Sequence, residues 1–350
     1  MTISTYQSLG GNTAAYTVPT MPEIPAGQEP WAGSPEAFWT RKVTGAAVDA
    51  ARTRLLAHVD VDCPVEGAGG NPPHDGSSYG MPFHLLDTAK ARKVPVLDLS
   101  RPPEYRWVWA WPPLQIIQPI DRIPLPDKVL TREGDPGNAF DKHAYVVDPT
   151  NRVLIEMYHM LPDARLGAEW TSSHAGGGRG ACQWNTGIPW NALGQPYGVV
   201  AACVPQFPMI ARFEELLRGA IAHALVASLP DYAPRSDGLA GPARGSDGSW
   251  KGHPCRAGER LRLTDAALAQ FTPGTVAYLL AKALNEYGLV IVDRNRHGVK
   301  PSEGSCRFTL TLDRRFHEGT DMLVGLKTVP FAADLSDFEV IDDKAFALAA

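Results

Sequence analysis

Lys142-His143-Ala144-Tyr145-Val146-Val147-Asp148-Pro149-Thr150-Asn151-Arg152-Val153-Leu154-Ile155-Glu156-Met157-Tyr158 is the stretch on which the fold class turns. Its two apolar runs are rich in Val, Ile, Leu and Tyr, and Asp148-Pro149-Thr150-Asn151 between them is turn chemistry. The spacing predicts two successive strands joined as a hairpin. Similar runs lie upstream at Val94-Pro-Val-Leu-Asp-Leu, Trp107-Val-Trp-Ala-Trp and Leu114-Gln-Ile-Ile, each bounded by Pro, Gly, Asp or Asn. In the second of these, Trp107, Trp109 and Trp111 alternate, so all three would project from one face of a strand.

Composition agrees with a chain of many short strands. The 350 residues include 33 Gly and 31 Pro without a collagen period or a low-complexity run, so these residues punctuate turns. Strands are not regularly interleaved with helices, as a doubly wound sheet would require. The expected fold is mainly β (α+β): a β-sandwich or jelly-roll-like core with a few peripheral helices and long Gly/Pro-rich loops.

Outward from that core, residues 1–33 read as an extended N-terminal arm, since Pro19, Pro22, Pro25 and Pro30 block regular structure. Residues 34–350 read as a single globular domain. Ser34-Pro35-Glu36 has the signature of a helix start, and Phe38, Val43, Ala47, Ala51 and Leu55 give a rough helical stripe to about His58. Two inserted loops are expected, at 170–205 and 231–259. The clearest local prediction is a helix over 273–287, capped by Thr272, opened by Pro273 and stopped by Gly288 in a left-handed conformation. Leu289-Val-Ile-Val-Asp follows it as a strand.

Hydrophobic residues make up 44% and charged residues 20%, too apolar for disorder, and the net charge of −5 argues against a nucleic-acid partner. The five cysteines (Cys63, Cys182, Cys203, Cys255, Cys306) are scattered and form no C-x-x-C pair, so buried free thiols are expected rather than a disulfide framework or zinc site. Residues 1–30 lack the basic start and apolar core of a signal peptide, and no apolar run approaches the ~20 residues of a membrane helix. No membrane insertion is expected.

Familiar catalytic motifs are absent: no G-x-S-x-G, no H-E-x-x-H, no Walker loop, no G-x-G-x-x-G between strand and helix. No cofactor or metal is implied. Gly176-Gly-Gly-Arg-Gly has no helix behind it to bind a phosphate. The informative pairs are of another kind. The predicted hairpin brings His143 near Glu156, and a carboxylate beside an imidazole favours its charged form, as a general acid/base pair needs. The competing reading is a structural hydrogen bond inside the core. Arg212 and Glu214 lie in Arg212-Phe-Glu-Glu, and either pair with each other or serve a site. His223 sits in the apolar run Gly219-Ala-Ile-Ala-His-Ala-Leu, where a satisfied core histidine competes with a catalytic one. His74 and Asp75 would line a cleft rim or cap a turn. Asp60 and Asp62 alternate, but a calcium site needs more oxygen ligands than the sequence supplies. Trp170, Trp184 and Trp190 fall in or beside the glycine-rich segment, where exposed rings beside polar groups make platforms for sugars, and where buried packing accounts for them equally well.

The order of these pieces carries a resemblance. Asp141-Lys-His-Ala-Tyr-Val-Val-Asp is followed by Leu154-Ile-Glu-Met-Tyr, Trp170, Ala201-Ala-Cys-Val-Pro-Gln-Phe-Pro-Met-Ile-Ala-Arg-Phe-Glu-Glu and Gly219-Ala-Ile-Ala-His-Ala-Leu. Arg260-Leu-Arg-Leu, Ala283-Leu-Asn-Glu-Tyr-Gly-Leu-Val-Ile-Val-Asp and Ser336-Asp-Phe-Glu-Val complete the series. Over roughly residues 70–342 it resembles a family of actinobacteriophage minor tail proteins and related bacterial secreted proteins. The chain departs from that pattern where the loop 231–259 replaces an aromatic-Pro-Ala segment, and where Arg294-Asn295 replaces Asn-Gly.

The resemblance implies a phage tail protein in a virion assembled in host cytoplasm, with the arm tethering other tail proteins. Symmetric trimers are common among tail proteins, so a homo-oligomer is an open expectation. Three functions follow. The first is recognition of a cell-envelope polysaccharide in a cleft formed by the tryptophans and the His143/Glu156 surface, with Trp170, Trp184, Glu214, His74 and Asp75 as binding residues. The second is glycan cleavage, by a hydrolase or lyase, with Glu156 as acid/base helped by His143, His223 or Arg212. A hydrolase needs a second carboxylate, for which Asp75 and Glu214 are the candidates. The third is a purely structural tail component whose His and Glu side chains are core hydrogen-bonders.

Overall fold

The structure is a computed structural model and describes Ile24 and residues 26–29, 37–56, 65–66, 83–98, 122–126, 143–157, 160–162, 170–172, 200–202, 204–230, 235–241, 243, 245–248, 251, 254–295, 308–310, 333 and 335–342. Along the chain come β1 (Val65–Glu66), β2 (Phe83–Leu85), β3 (Lys93–Asp98), β4 (Arg122–Pro124), β5 (Ala144–Asp148), β6 (Val153–Met157), β7 (Met160–Pro162) and β8 (Trp170–Ser172). Then follow β9 (Leu225–Pro230), β10 (Arg235–Leu239), β11 (Arg256–Ala257), β12 (Arg260–Leu263), β13 (Leu289–Asn295), β14 (Phe308–Leu310) and β15 (Phe338–Val340). The helices are α1 (Ala50–Leu56), α2 (Phe213–Arg218), α3 (Asp265–Leu268) and α4 (Val276–Glu286). The fold is strand-rich α+β, as its turn-punctuated sequence predicts.

Six strands form the largest sheet, in the order β1-β14-β9-β13-β12-β15. A second sheet has the order β2-β5-β6, a third β4-β3-β8-β7, and β10 pairs with β11 alone. Pairing is mixed: β1–β14, β9–β13, β2–β5, β3–β8 and β10–β11 are parallel. That departs from the antiparallel order of a jelly roll.

The central strands β9 and β13 are covered on both faces, which is why they read as unbroken apolar runs rather than alternating ones. Leu225, Ala227, Leu229, Leu289 and Ile291 join Leu261, Leu263, Phe338 and Val340 under Leu280, Ala281 and Leu284 of α4. Val226, Val290 and Val292 face the other way, into a core shared with Tyr145, Val147 and Leu154 of the β5–β6 hairpin, Phe83, Phe207 and Trp39. Ile24, within the stretch expected as an arm, is 1% exposed and belongs to this second core.

The expected hairpin forms, in register from Ala144↔Met157 to Asp148↔Val153. Asp148 ties its turn down, accepting hydrogen bonds from the Asn151 N–H (2.9 Å), Asn151 Nδ2 (2.7 Å), Thr88 N–H (2.6 Å) and Thr88 Oγ1 (2.7 Å).

Three expectations are corrected. Over the described residues 37–56, the continuous helix expected across 34–58 is replaced by a 3₁₀ turn at Phe38–Thr40, an irregular segment with a bridge from Val48 to Ile341, and the short α1. Gly45 at φ +76° is incompatible with a continuing helix, and the Val43 and Asp49 N–H groups bond instead to the carbonyls of Glu286 and Val340. The helix before Gly288 begins later than Pro273: its cap is Thr275, whose hydroxyl accepts from the Tyr278 N–H at 3.1 Å. Its end matches the prediction, with Gly288 at φ +84° donating to the Ala283 carbonyl. Part of the loop over 231–259 is strand, namely β10 and β11.

Candidate functional site

Glu156 lies on β6 directly opposite Tyr145 on β5, so both side chains leave the same face of the hairpin, inward. Its Oε1 accepts from the main-chain N–H groups of Gln206 (2.8 Å) and Phe207 (2.7 Å), at the start of the 3₁₀ turn Phe207–Met209. Tyr145 donates its hydroxyl proton to Gln206 Oε1 at 2.6 Å. The His143 ring stacks beside Tyr145, with centroids 6.2 Å apart and planes 4° from parallel. His143 is 3% exposed and Glu156 0%. The hairpin thus sets Glu156 on β6 and His143 immediately ahead of β5, one residue short of the strand that the sequence implies, and the carboxylate is committed to a turn of the main chain in a sealed core.

The second group is built at the far end of the same segment. Arg212 stands at the cap of α2, and Glu215 at its third position reaches back to the Arg212 N–H at 2.9 Å, one arm of a capping box. The Arg212 guanidinium bonds Glu215 Oε1, and lies 3.7 Å from Glu214 and 4.0 Å from Glu29. His223 Nε2 meets the two Glu215 oxygens at 3.0 and 3.1 Å, and its Nδ1 donates to the Ala224 carbonyl at 2.7 Å. Burial pushes the Glu215 carboxyl up, but the charges of Arg212 and His223 and the hydrogen bonds outweigh it and hold the carboxyl at about 2. Arg212, Glu214, Glu215 and His223 are all buried.

The sequence reading singled out Glu214 and missed Glu215, the residue at the centre of this cluster. The readable signal was its position three residues after Arg212. It was hidden because arginine is not a usual capping residue, so the box lacked its first half. A further buried carboxylate, Glu259, is held between Arg52 and Arg256. Trp170 opens β8, paired with Val96 and Pro162. His74, Asp75, Asp60, Asp62, Trp184, Trp190 and the alternating Trp107, Trp109 and Trp111 lie outside the described residues. Cys255 is buried, and burial followed by the Glu259 charge raises its thiol pKa, so it is an inert core thiol. Among the described residues no helix is long and apolar enough to cross a membrane.

Chemically, the arrangement offers braces. Glu156 fastens the 206–207 peptide groups to the hairpin, and the Arg212–Glu215–His223 cluster fastens α2 to the start of β9. The segment between them is thereby held at both ends by buried carboxylates. Comparison with protein families, with curated proteins and with solved structures finds no match to this chain.

Proposed function

We propose that this chain is a structural component of a phage tail, in which His143, Glu156, Arg212 and His223 brace the fold and do not cleave a glycan. The burial of Glu156 carries this reading: its carboxylate is 0% exposed and accepts two main-chain hydrogen bonds. A general acid must reach the glycosidic oxygen at hydrogen-bond distance, and a polymer cannot enter a packed core. The tail context rests on the ordered sequence resemblance. The packing of the β5–β6 hairpin face to face with the six-stranded sheet supports a sandwich-type scaffold, suited to rigid assembly.

The test compares wild type with Glu156→Gln on actinobacterial cell-wall polysaccharides, scoring released reducing ends or unsaturated products together with the melting temperature. A structural role gives no products from either protein and a lowered melting temperature in the variant. Product release by wild type, abolished by Glu156→Gln with the melting temperature unchanged, would make this an enzyme. Retention of the polysaccharide without products would identify a glycan-binding tail protein. Antibody labelling of tails on particles that encode the chain tests the virion assignment separately.

A further inference from the structure

β15 is the end strand of the six-stranded sheet, and the backbone groups along it and the two residues after it point alternately to two neighbours. The Ile341 N–H donates to the Arg260 carbonyl of β12 at 2.9 Å. The groups on the other side meet a segment from far upstream. The Val340 carbonyl accepts from the Asp49 N–H, the Val340 N–H donates to Thr53 Oγ1 and the Asp342 N–H donates to the Ala47 carbonyl, each at 2.9 Å. Residues 47–53 therefore stand where a further strand would lie, with Val48 bridged to Ile341.

This segment is anchored firmly at its ends and lightly between them. Trp39 belongs to the core shared with the hairpin and Leu56 to the core under α4, and both are buried. Among the described residues 41–55, Val43 alone is buried, and it joins Ile341, Ala46 and Val48 in a small cluster apart from the two larger cores. The other fasteners are polar. Arg260 Nη2 and Arg262 Nη1 donate to the Arg41 and Val43 carbonyls at 3.2 Å, and the Val43 N–H donates to the Glu286 carbonyl at 2.8 Å. Lys42 pairs with Glu286 at 2.9 Å, and Arg52 binds Asp49 at 2.8 Å and also Glu259. Bonds between partly exposed groups contribute little each, because water competes for both partners.

We propose that residues 41–53 form a releasable strap over the edge of the large sheet, opening as a unit between Trp39 and Leu56 while β15 stays on β12. Closure rests on one small apolar cluster and on solvent-competed bonds, whereas β15 is held by Phe338 and Val340 in the core under α4. The free energy of local opening follows that difference in buried apolar surface. Closed, the strap occupies the outward donors and acceptor of the edge, so no other chain can add a strand there. Open, it leaves Val340 and Asp342 as a template for an extended segment. The strap thus governs whether the edge is available.

Amide exchange read residue by residue by NMR on the whole chain tests this, because Val340 and Asp342 face the strap and Ile341 faces β12. In wild type the Asp49, Val340 and Asp342 amides should exchange about tenfold or more faster than those of Ile341 and Leu225, after correction for intrinsic rates, and with little dependence on urea. Ile291→Val trims the core under α4, outside the strap, and should speed Ile341 and Leu225 by about fivefold while leaving the three strap-facing amides unchanged. Thr53→Val removes the acceptor of the Val340 N–H and should speed all three strap-facing amides by one common factor, about fivefold or more. Equal protection and urea dependence at Ile341 and the three, or an equal response of all to Ile291→Val, would make the segment an integral strand and overturn the proposal. Faster exchange of Val340 alone in Thr53→Val would overturn it too, since the segment would not open as a unit.

Discussion

Glu215 illustrates how one side chain can tie a helix to a strand through three contacts. It caps α2 through the Arg212 N–H, binds the Arg212 guanidinium and receives His223 from the lead-in to β9. Its carboxyl, ordinarily at 4.5, sits at about 2, and a group with a depressed folded value stabilises the protein above its ordinary value. That stability is lost as pH falls from 4.5 through about 2. A drop of this size corresponds to about 3 kcal/mol at ~1.4 kcal/mol per unit. Urea unfolding across that acid range should therefore show a steep loss in wild type. Glu215→Gln should be flatter there and weaker at neutral pH by about 3–5 kcal/mol, because the buried Arg212 guanidinium loses its counterion. A variant as stable as wild type at neutral pH would show that the cluster is not a brace. Residue roles of this sort were only half legible. Arg212, Glu214 and His223 stand out as polar letters in apolar surroundings, but adjacent Glu214 and Glu215 are chemically identical until the helix turns one of them back onto its own first N–H.

At the scale of elements, the prediction that separates sequence from structure concerns α4. Thr272-Pro273 has the local signature of a helix start, yet the Thr275 hydroxyl takes the Tyr278 N–H and the Thr272 carbonyl accepts from Thr275. Thr275→Ala should cost about 1 kcal/mol in thermal unfolding, while Thr272→Ala should cost less than about half of that. The reverse order would restore the earlier cap. The end of α4 was legible because Gly288 acts locally: its φ is left-handed and its N–H closes back on the Ala283 carbonyl. The hairpin over 144–157 was legible for the same reason, since its turn residues bond within four positions of one another. The supposed helix over 34–58 failed because its spacing was fortuitous. Leu55, one of its stripe residues, is 48% exposed, and Phe38 and Trp39 are adjacent yet both buried. Main-chain partners more than two hundred residues away, at Glu286 and Val340, outbid local helical bonds.

Across the whole molecule, β9 and β13 belong to both hydrophobic cores, so the two cannot melt independently. Leu280→Ala on the α4 side and Leu154→Ala on the hairpin side each empty a fully buried site and should cost about 2–5 kcal/mol. Calorimetry should find a single transition in both variants, with van't Hoff and calorimetric enthalpies equal. Two transitions, only one of them lowered by each variant, would mean separable units. The sequence by itself determined the strand-rich α+β class, the β5–β6 hairpin, the end of α4 and the start of β13, because short-range turn, cap and strand preferences set all of these. Only the tertiary structure decided that β9 lies parallel to β13, that Ile24 is core, and that His143, Glu156, Arg212 and His223 are buried. Those outcomes depend on which distant segments cover a given face, and burial is a property of the packed chain rather than of any residue's neighbours in sequence.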